Sequence, residues 1–256
     1  MLERADRTVS EASGPAEAEQ RLRDQPFDVV LAGPGRNGLD GLKAARRVRT
    51  LQPEARVIVA GDSNPASVVD AMRARVFGYL HNPPAEGPLN DIVQQAIDAS
   101  EWQNDILVHS GLPEWITLDV RCKMEAGDRA VHFVREMQCD LPLSVRDDVT
   151  SAFRELLLNG IEHGGKYDAK KRVRVWIMRT AKSLIVQIQD PGRGFSMNKL
   201  PHAAISNPVD SPIHHVEVRA EAGQRPGGFG ILMTRNLVDE LLYNERGNGV
   251  MFVKYL

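Results

Sequence analysis

In the first hundred residues short β-branched runs alternate with amphipathic stretches, and near residues 105–115 that alternation stops. Phe27-Asp-Val-Val-Leu-Ala32, Arg56-Val-Ile-Val-Ala60 and Phe77-Gly-Tyr-Leu80 are apolar and bounded by turn residues. Such runs suit parallel strands covered on both faces. Between them, Gly41–Leu51, Pro65–Val76 and Pro88–Asn104 carry helical spacing. Pro65 and Pro88 stand near helix starts, where a missing N–H costs little. The pattern predicts a doubly wound, flavodoxin-like α/β sheet.

His109-Ser-Gly-Leu-Pro113 is a cluster of breakers and predicts a linker over residues 105–115, between domains at 1–104 and 116–256. Two modest domains also suit a chain of 256 residues. Beyond the linker the spacing predicts a strand at Ile116–Met124, a helix from near Asp128, and a long helix from about Ser144 to His163. Strands at Val173–Arg179 and Leu184–Gln189 follow, then a helix at Ile231–Leu242. Arg246-Gly-Asn-Gly249 is a hairpin turn leading into a last strand, Val250–Tyr255. Antiparallel strands with segregated helices define an α+β two-layer sandwich.

Composition excludes several classes. A net charge of −2 argues against nucleic-acid binding by bulk electrostatics. No apolar run approaches the roughly 20 residues that cross a bilayer, and the N-terminus is not a signal peptide. Cys122 and Cys139 are too few for a disulfide framework and lack metal-ligand spacing. A cytoplasmic protein with reduced thiols is expected.

Three segments of the second half carry chemistry. Glu155, Asn159 and His163 are spaced four apart, so on a helix they line one face, while Leu156, Leu157 and Ile161 hold that helix to a sheet. A carboxylate and an amide oxygen one turn apart suit a hydrated Mg²⁺; the same run also fits a solvated helix face. Asp190 ends an apolar strand and enters Pro191-Gly-Arg-Gly194. Fixed there, it could accept a hydrogen bond from an exocyclic amine such as adenine N6, with Gly192 and Gly194 letting backbone approach a flat base. Asp-Pro-Gly is equally ordinary turn chemistry. Gly227-Gly-Phe-Gly230 precedes a helix, where free N–H groups and the dipole favour phosphate oxygens. The roughly thirty residues between Phe195 and Pro226, with His202, His214 and His215, read as a lid or a surface insert. In this order the segments describe an ATP pocket with neither a P-loop nor a protein-kinase Gly-rich loop.

Together they resemble the Bergerat-type (GHKL) ATP-binding fold of histidine kinases, gyrase, Hsp90 and MutL, over residues ~112–256. Ala152-Phe-Arg-Glu-Leu-Leu-Leu-Asn-Gly-Ile-Glu-His-Gly-Gly-Lys-Tyr167 is similar to the corresponding box of the anti-sigma-factor serine kinases of the RsbW and SpoIIAB type. The resemblance implies that Glu155 is a general base or water-orienting carboxylate and Asn159 the Mg²⁺ ligand. It implies that Asp190 contacts adenine, with His163 in the nucleotide site and Gly192, Gly194, Gly227, Gly228 and Gly230 shaping pocket and lid hinge. Many members place Thr after the glycine of the last hairpin; Val250 stands there in this chain.

The first half, over residues ~7–104, resembles a response-regulator receiver that has lost its chemistry. Gly33 stands at the phosphoacceptor Asp position, Gly61 at the switch Ser/Thr and Asn82 at the Lys before Pro83. The first strand and helix of a full receiver are missing from the pattern. The half is then a phosphorylation-independent docking or dimerisation module, or a fuller N-terminus completes its sheet. The two resemblances imply a cytoplasmic regulator that binds Mg·ATP and phosphorylates Ser or Thr of a partner. That partner would be an anti-sigma-factor antagonist of the STAS class, with a sigma factor as competing ligand. The alternatives are a nucleotide-gated switch without turnover, the ATPase domain of a two-component histidine kinase, and a scaffold with a vestigial pocket. A homodimer is possible on this reading; contact with membrane or nucleic acid is not expected.

Overall fold

The computed structural model describes residues 7–34, 41–194 and 230–256. The chain forms two compact units, one of residues up to Gln103 with His132–Asp140, the other of Asn104–Val131 with Leu141–Leu256.

In the first unit α1 (Pro15–Asp24), β1 (Val29–Ala32), α2 (Gly41–Leu51), β2 (Arg56–Gly61), α3 (Pro65–Arg73), β3 (Gly78–His81) and α4 (Glu86–Asp98) follow in order. The strands form a parallel sheet ordered β1-β2-β3, with Val29 opposite Arg56 and Ile58 opposite Gly78. Successive residues Val57, Ile58, Val59 and Ala60 are all buried, so the central strand is covered on both faces. The expected receiver-like α/β arrangement is therefore present. Asn64 caps α3 by accepting the Ala66 N–H at 2.9 Å, with Pro65 at the first helical position. The core gathers Ile58, Phe77, Leu80, Leu89, Ile92 and Trp102, and Phe77 meets Trp102 edge-on at 5.4 Å. Helix α1 has no counterpart in the sequence reading. It buries Leu22 alone and is tied by Glu17–Arg21, Glu19–Arg23 and, to α2, Glu19–Arg47, so no apolar stripe announces it.

The second unit contains β4 (Ile106–Leu112), β5 (Trp115–Arg121), the start of α5 (Met124–Met137), α6 (Leu143–Asn159), a π-helical segment (Gly160–Gly165), β6 (Arg172–Arg179), β7 (Ser183–Gln189), α7 (Gly230–Leu237), β8 (Glu240–Tyr243) and β9 (Gly249–Tyr255). The sheet runs β4-β5-β6-β7-β9-β8, and every neighbouring pair is antiparallel. Two cross-strand rows, Ile116–Ile177–Val186–Phe252 and Leu118–Val175–Ile188–Val250, lie on one face and are buried. On the other face the row Trp115–Met178 is exposed. One covered face and one open face make the two-layer sandwich expected of this half.

Four local expectations are corrected. Residues 105–115 are not a linker: β4 pairs with β5, His109 is the extra residue of a bulge between Val108 and Ser110, and Pro113 sits in the turn. The breaker residues serve a bulged hairpin. The strand drawn to Met124 ends at Arg121, and Met124 opens α5. The long helix is α-helical only to Asn159, because the glycines after it pass Cys122 and Asp190 too closely for side chains. The helix drawn to Leu242 stops at Leu237, and residues 240–243 pair with β9, Leu241 opposite Phe252. Sheet pairing overrides an apolar run that fits either state.

Candidate nucleotide site

Helix α6 buries Val149, Ala152, Phe153, Leu156 and Leu157. At about 1.5–3 kcal/mol for each large apolar side chain, this packing fixes the helix's rotation. The opposite side leaves Glu155 and Asn159 half-buried, and Asn159 Nδ2 donates to Glu155 Oε1 at 3.2 Å. Gly230, the first residue of α7, lies so close that a Cβ on it would run into the Glu155 carboxylate. Tyr243 of β8 is also near. Burial pushes its phenol up to about 12, and the charge of Glu155 adds to the shift. Three elements thus converge on one carboxylate.

The π segment then carries the chain past the end of β7. A Cβ at Gly160 would meet Asp190 Cβ at 3.5 Å and Val173 at 3.4 Å, ordinary contact. One at Gly164 would overlap Asp190 itself, and one at Gly192 would lie 2.9 Å from Gly164 Cα. Lys166 closes the segment in the left-handed region at φ 55°. His163 sits within it, exposed, and its charge bears on Asp190.

Asp190 is half-buried, and burial raises its carboxyl above the usual carboxylate range. The backbone N–H groups of Gly192 and Asp190 and the charge of His163 pull the other way. Its Oδ1 accepts the Gly192 N–H at 2.7 Å; among the described residues no bond to Oδ2 is seen. The Asp190 N–H donates to the carbonyl of Asn248 at 2.9 Å. Gly194, at φ +80°, crowds the backbone of Arg246 and Asn248. Gly227 and Gly228, with the histidines of the expected lid, lie outside the described residues.

Sequence reasoning missed Tyr243, Asn244 and Asn248. Only the spacing of two asparagines around a Gly-containing turn hinted at side chains bonding across it. His109, expected in a linker, is on β4, where its Nε2 lies 2.7 Å from Asp119 Oδ2. Arg174 binds the same carboxylate through two bonds of 2.7 and 2.9 Å, and with His109 holds Asp119 below the usual range against the opposing effect of burial.

In the first unit the three receiver positions stand at the C-terminal ends of parallel strands. Gly33 follows β1, Gly61 ends β2, and the Asn82 N–H donates to the Gly61 carbonyl at 2.7 Å. A Cβ at Gly61 would enter the ring of Tyr79, so this position has no room for a hydroxyl-bearing side chain.

A purine base and a metal-bound phosphate both find matching chemistry here. Asp190 offers an acceptor between glycines, and Glu155 with Asn159 offers two oxygen donors, a set Mg²⁺ accepts when waters and phosphates complete its shell. Among the described residues no group of three His, Cys, Asp or Glu could hold a metal by itself. No helix of the described residues is long and apolar enough to cross a membrane.

The sandwich, with its acid–amide pair on the long helix and its strand-end aspartate among glycines, has the layout of a kinase-like ATPase domain. A family model described as the histidine kinase-like ATPase domain matches residues 121–254, and the chain belongs to that family. Among solved structures, the chain is similar to a response regulator protein from Burkholderia pseudomallei with a phosphorylated aspartic acid, calcium ion and citrate. The identity is 21% and the TM-score 0.32 over 39% of this chain. The chain spans 55% of the length of that protein. No curated protein matches the chain.

Proposed function

We propose that the second unit binds Mg·ATP and transfers its γ-phosphoryl group to a Ser or Thr hydroxyl of a partner protein. By resemblance that partner is an anti-sigma-factor antagonist of the STAS class, with a sigma factor competing for the same unit. The observation that carries the reading is the meeting of Gly230, Asn159 and Glu155. It sets a glycine-led helix start, suited to phosphate oxygens, against the carboxylate that would face the reacting hydroxyl.

In this reading ATP supplies the phosphoryl group, and Mg²⁺, when bound, would offset the charge on the phosphate oxygens. Asp190 accepts a hydrogen bond from the adenine amine. Asn159 would hold the metal through its amide oxygen, while its Nδ2 orients Glu155. Glu155 takes the hydroxyl proton as the new oxygen–phosphorus bond forms and the bond to ADP breaks. The first unit, with glycines at two receiver positions, serves as a docking or dimerisation module; a monomer by light scattering at high micromolar concentration would argue against dimerisation.

The test is incubation with labelled ATP, Mg²⁺ and candidate partners, followed by mapping of the labelled residue. Glu155→Ala should abolish transfer and leave nucleotide binding largely intact. Transfer equal to wild type would remove the base assignment. Tight binding with no transfer to any partner would favour a nucleotide-gated switch, and no binding a scaffold.

A further inference from the structure

Asn248 lies in the β8–β9 hairpin and is only 6% exposed. Each of its polar groups is used. Its Nδ2 lies 3.4 Å from the carbonyl oxygens of both Asp190 and Gly192. Its Oδ1 accepts from Asn244 Nδ2 at 3.0 Å, and its backbone N–H donates to Asn244 Oδ1 at 3.1 Å. Its carbonyl accepts the Asp190 N–H at 2.9 Å. The Gly249 N–H adds a third bond to Asn244, donating to Oδ1 at 3.2 Å. One buried amide, braced by a second, therefore grips both residues flanking Pro191.

The turn held in this way bonds one carboxylate oxygen of Asp190 and leaves the other without a bond among the described residues. The Gly192 N–H occupies Oδ1, so the position of Gly192 sets how Oδ2 is presented. Gly164 blocks the side chain from the π segment, leaving the hairpin as the element that holds the turn from behind. Val250, two residues on, is buried opposite Ile188 and has no polar side-chain group to share the task.

We infer that Asn248 is a positioning residue that sets purine specificity. It holds the Asp190–Gly192 turn so that an ionised oxygen faces the substituent at position 6 of the base. An amine there donates to that oxygen, as in adenine. A carbonyl, as in guanine, would oppose one acceptor to another and leave both unpaired, which is how a site built to hydrogen-bond one partner rejects its analogue. The inference rests on the ATP reading.

The experiment measures Mg·ATP and Mg·GTP affinity by calorimetry in wild type, Asn248→Ala, Asn248→Ser and Val253→Ala, with amide exchange of Gly192 followed without nucleotide. Wild type should prefer ATP. In Asn248→Ala the GTP/ATP ratio of dissociation constants should fall about tenfold, one net hydrogen bond's equivalent, and Gly192 should exchange faster. Asn248→Ser keeps a donor on a shorter stem and should lie between. Val253→Ala, a buried truncation elsewhere on β9, should lower stability and leave the ratio unchanged. An unmoved ratio in Asn248→Ala, equal loss of both nucleotides, or unaltered Gly192 exchange would overturn the positioning role while the ATP reading stands. A wild type that binds neither nucleotide overturns both. Should Asn248→Ala fail to fold, Asn248→Ser against Val253→Ala decides by the same ratio.

Discussion

We predict that Gly164→Ala cripples nucleotide binding by displacing Asp190, although Gly164 itself has no side chain to contact the nucleotide. A Cβ on Gly164 would overlap three atoms of the Asp190 side chain, including Asp190 Cβ at 2.5 Å. Because Asp190 Cβ itself is in the way, rotating the side chain cannot clear the overlap. The π segment and the end of β7 must separate by about 1 Å to restore ordinary contact, and that shift carries the Asp190 acceptor with it. Overpacking of this kind costs about 1–3 kcal/mol of stability. Misplacing the Asp190 acceptor removes a hydrogen bond to a charged group, about 1.5–3 kcal/mol, so the dissociation constant for ATP should rise about 10- to 100-fold. Calorimetric titration with Mg·ATP, beside urea unfolding, measures both effects. A folded Gly164→Ala protein that binds ATP within twofold of wild type would refute the idea that Asp190 holds the base.

Three further predictions follow from the same geometry. Burial raises the Asp190 carboxyl, and its charged form is the stronger acceptor for the adenine amine. ATP affinity should therefore fall with acidification at a pH above that of an ordinary aspartate, and Asp190→Asn should flatten this dependence. The sign for stability is opposite: a raised pKa favours the protonated folded state, so this group's contribution is present at low pH and lost as pH rises through the folded value. Gly230→Ala should displace Glu155 and lower single-turnover transfer about 100-fold, the scale of a 1 Å misplacement; unaltered transfer would separate Gly230 from the reacting centre. Asp105→Ala should cost about 3–5 kcal/mol in urea unfolding. It removes the 1% exposed carboxylate that lies 3.6 Å from Lys123 and 3.9 Å from buried Arg129, whose guanidinium burial already lowers to about 10. A loss under about 1 kcal/mol would show that Asp105 is not what holds those cations.

Legibility in the sequence tracked how local each determinant is. Helix α2 spans the residues its periodicity predicts, Gly41–Leu51, and β2 coincides with its β-branched run. Helix α1 was invisible because its stability comes from ion pairs and one buried leucine. Residues 106–112 were hidden by His109, Gly111 and Pro113, which read as breakers until β5 supplies a partner across the bulge. Glu155, Asn159 and Asp190 were legible as candidates because spacing and strand-end chemistry mark them. Their neighbours Tyr243 and Asn248 were not: Asn248 reads only as part of a hairpin turn, and Tyr243 falls just past a segment that reads as helix.

By itself the sequence determined two units of different class and the elements that carry the candidate chemistry, because periodicity and turn preference act over a few residues. Only the tertiary structure decided that Gly230 abuts Glu155, that a π turn replaces the last helical turns beside Asp190, and that a hairpin asparagine grips the loop after β7. Those contacts join residues far apart in the chain, and their geometry is set by strand order and by the absence of Cβ atoms where backbones meet.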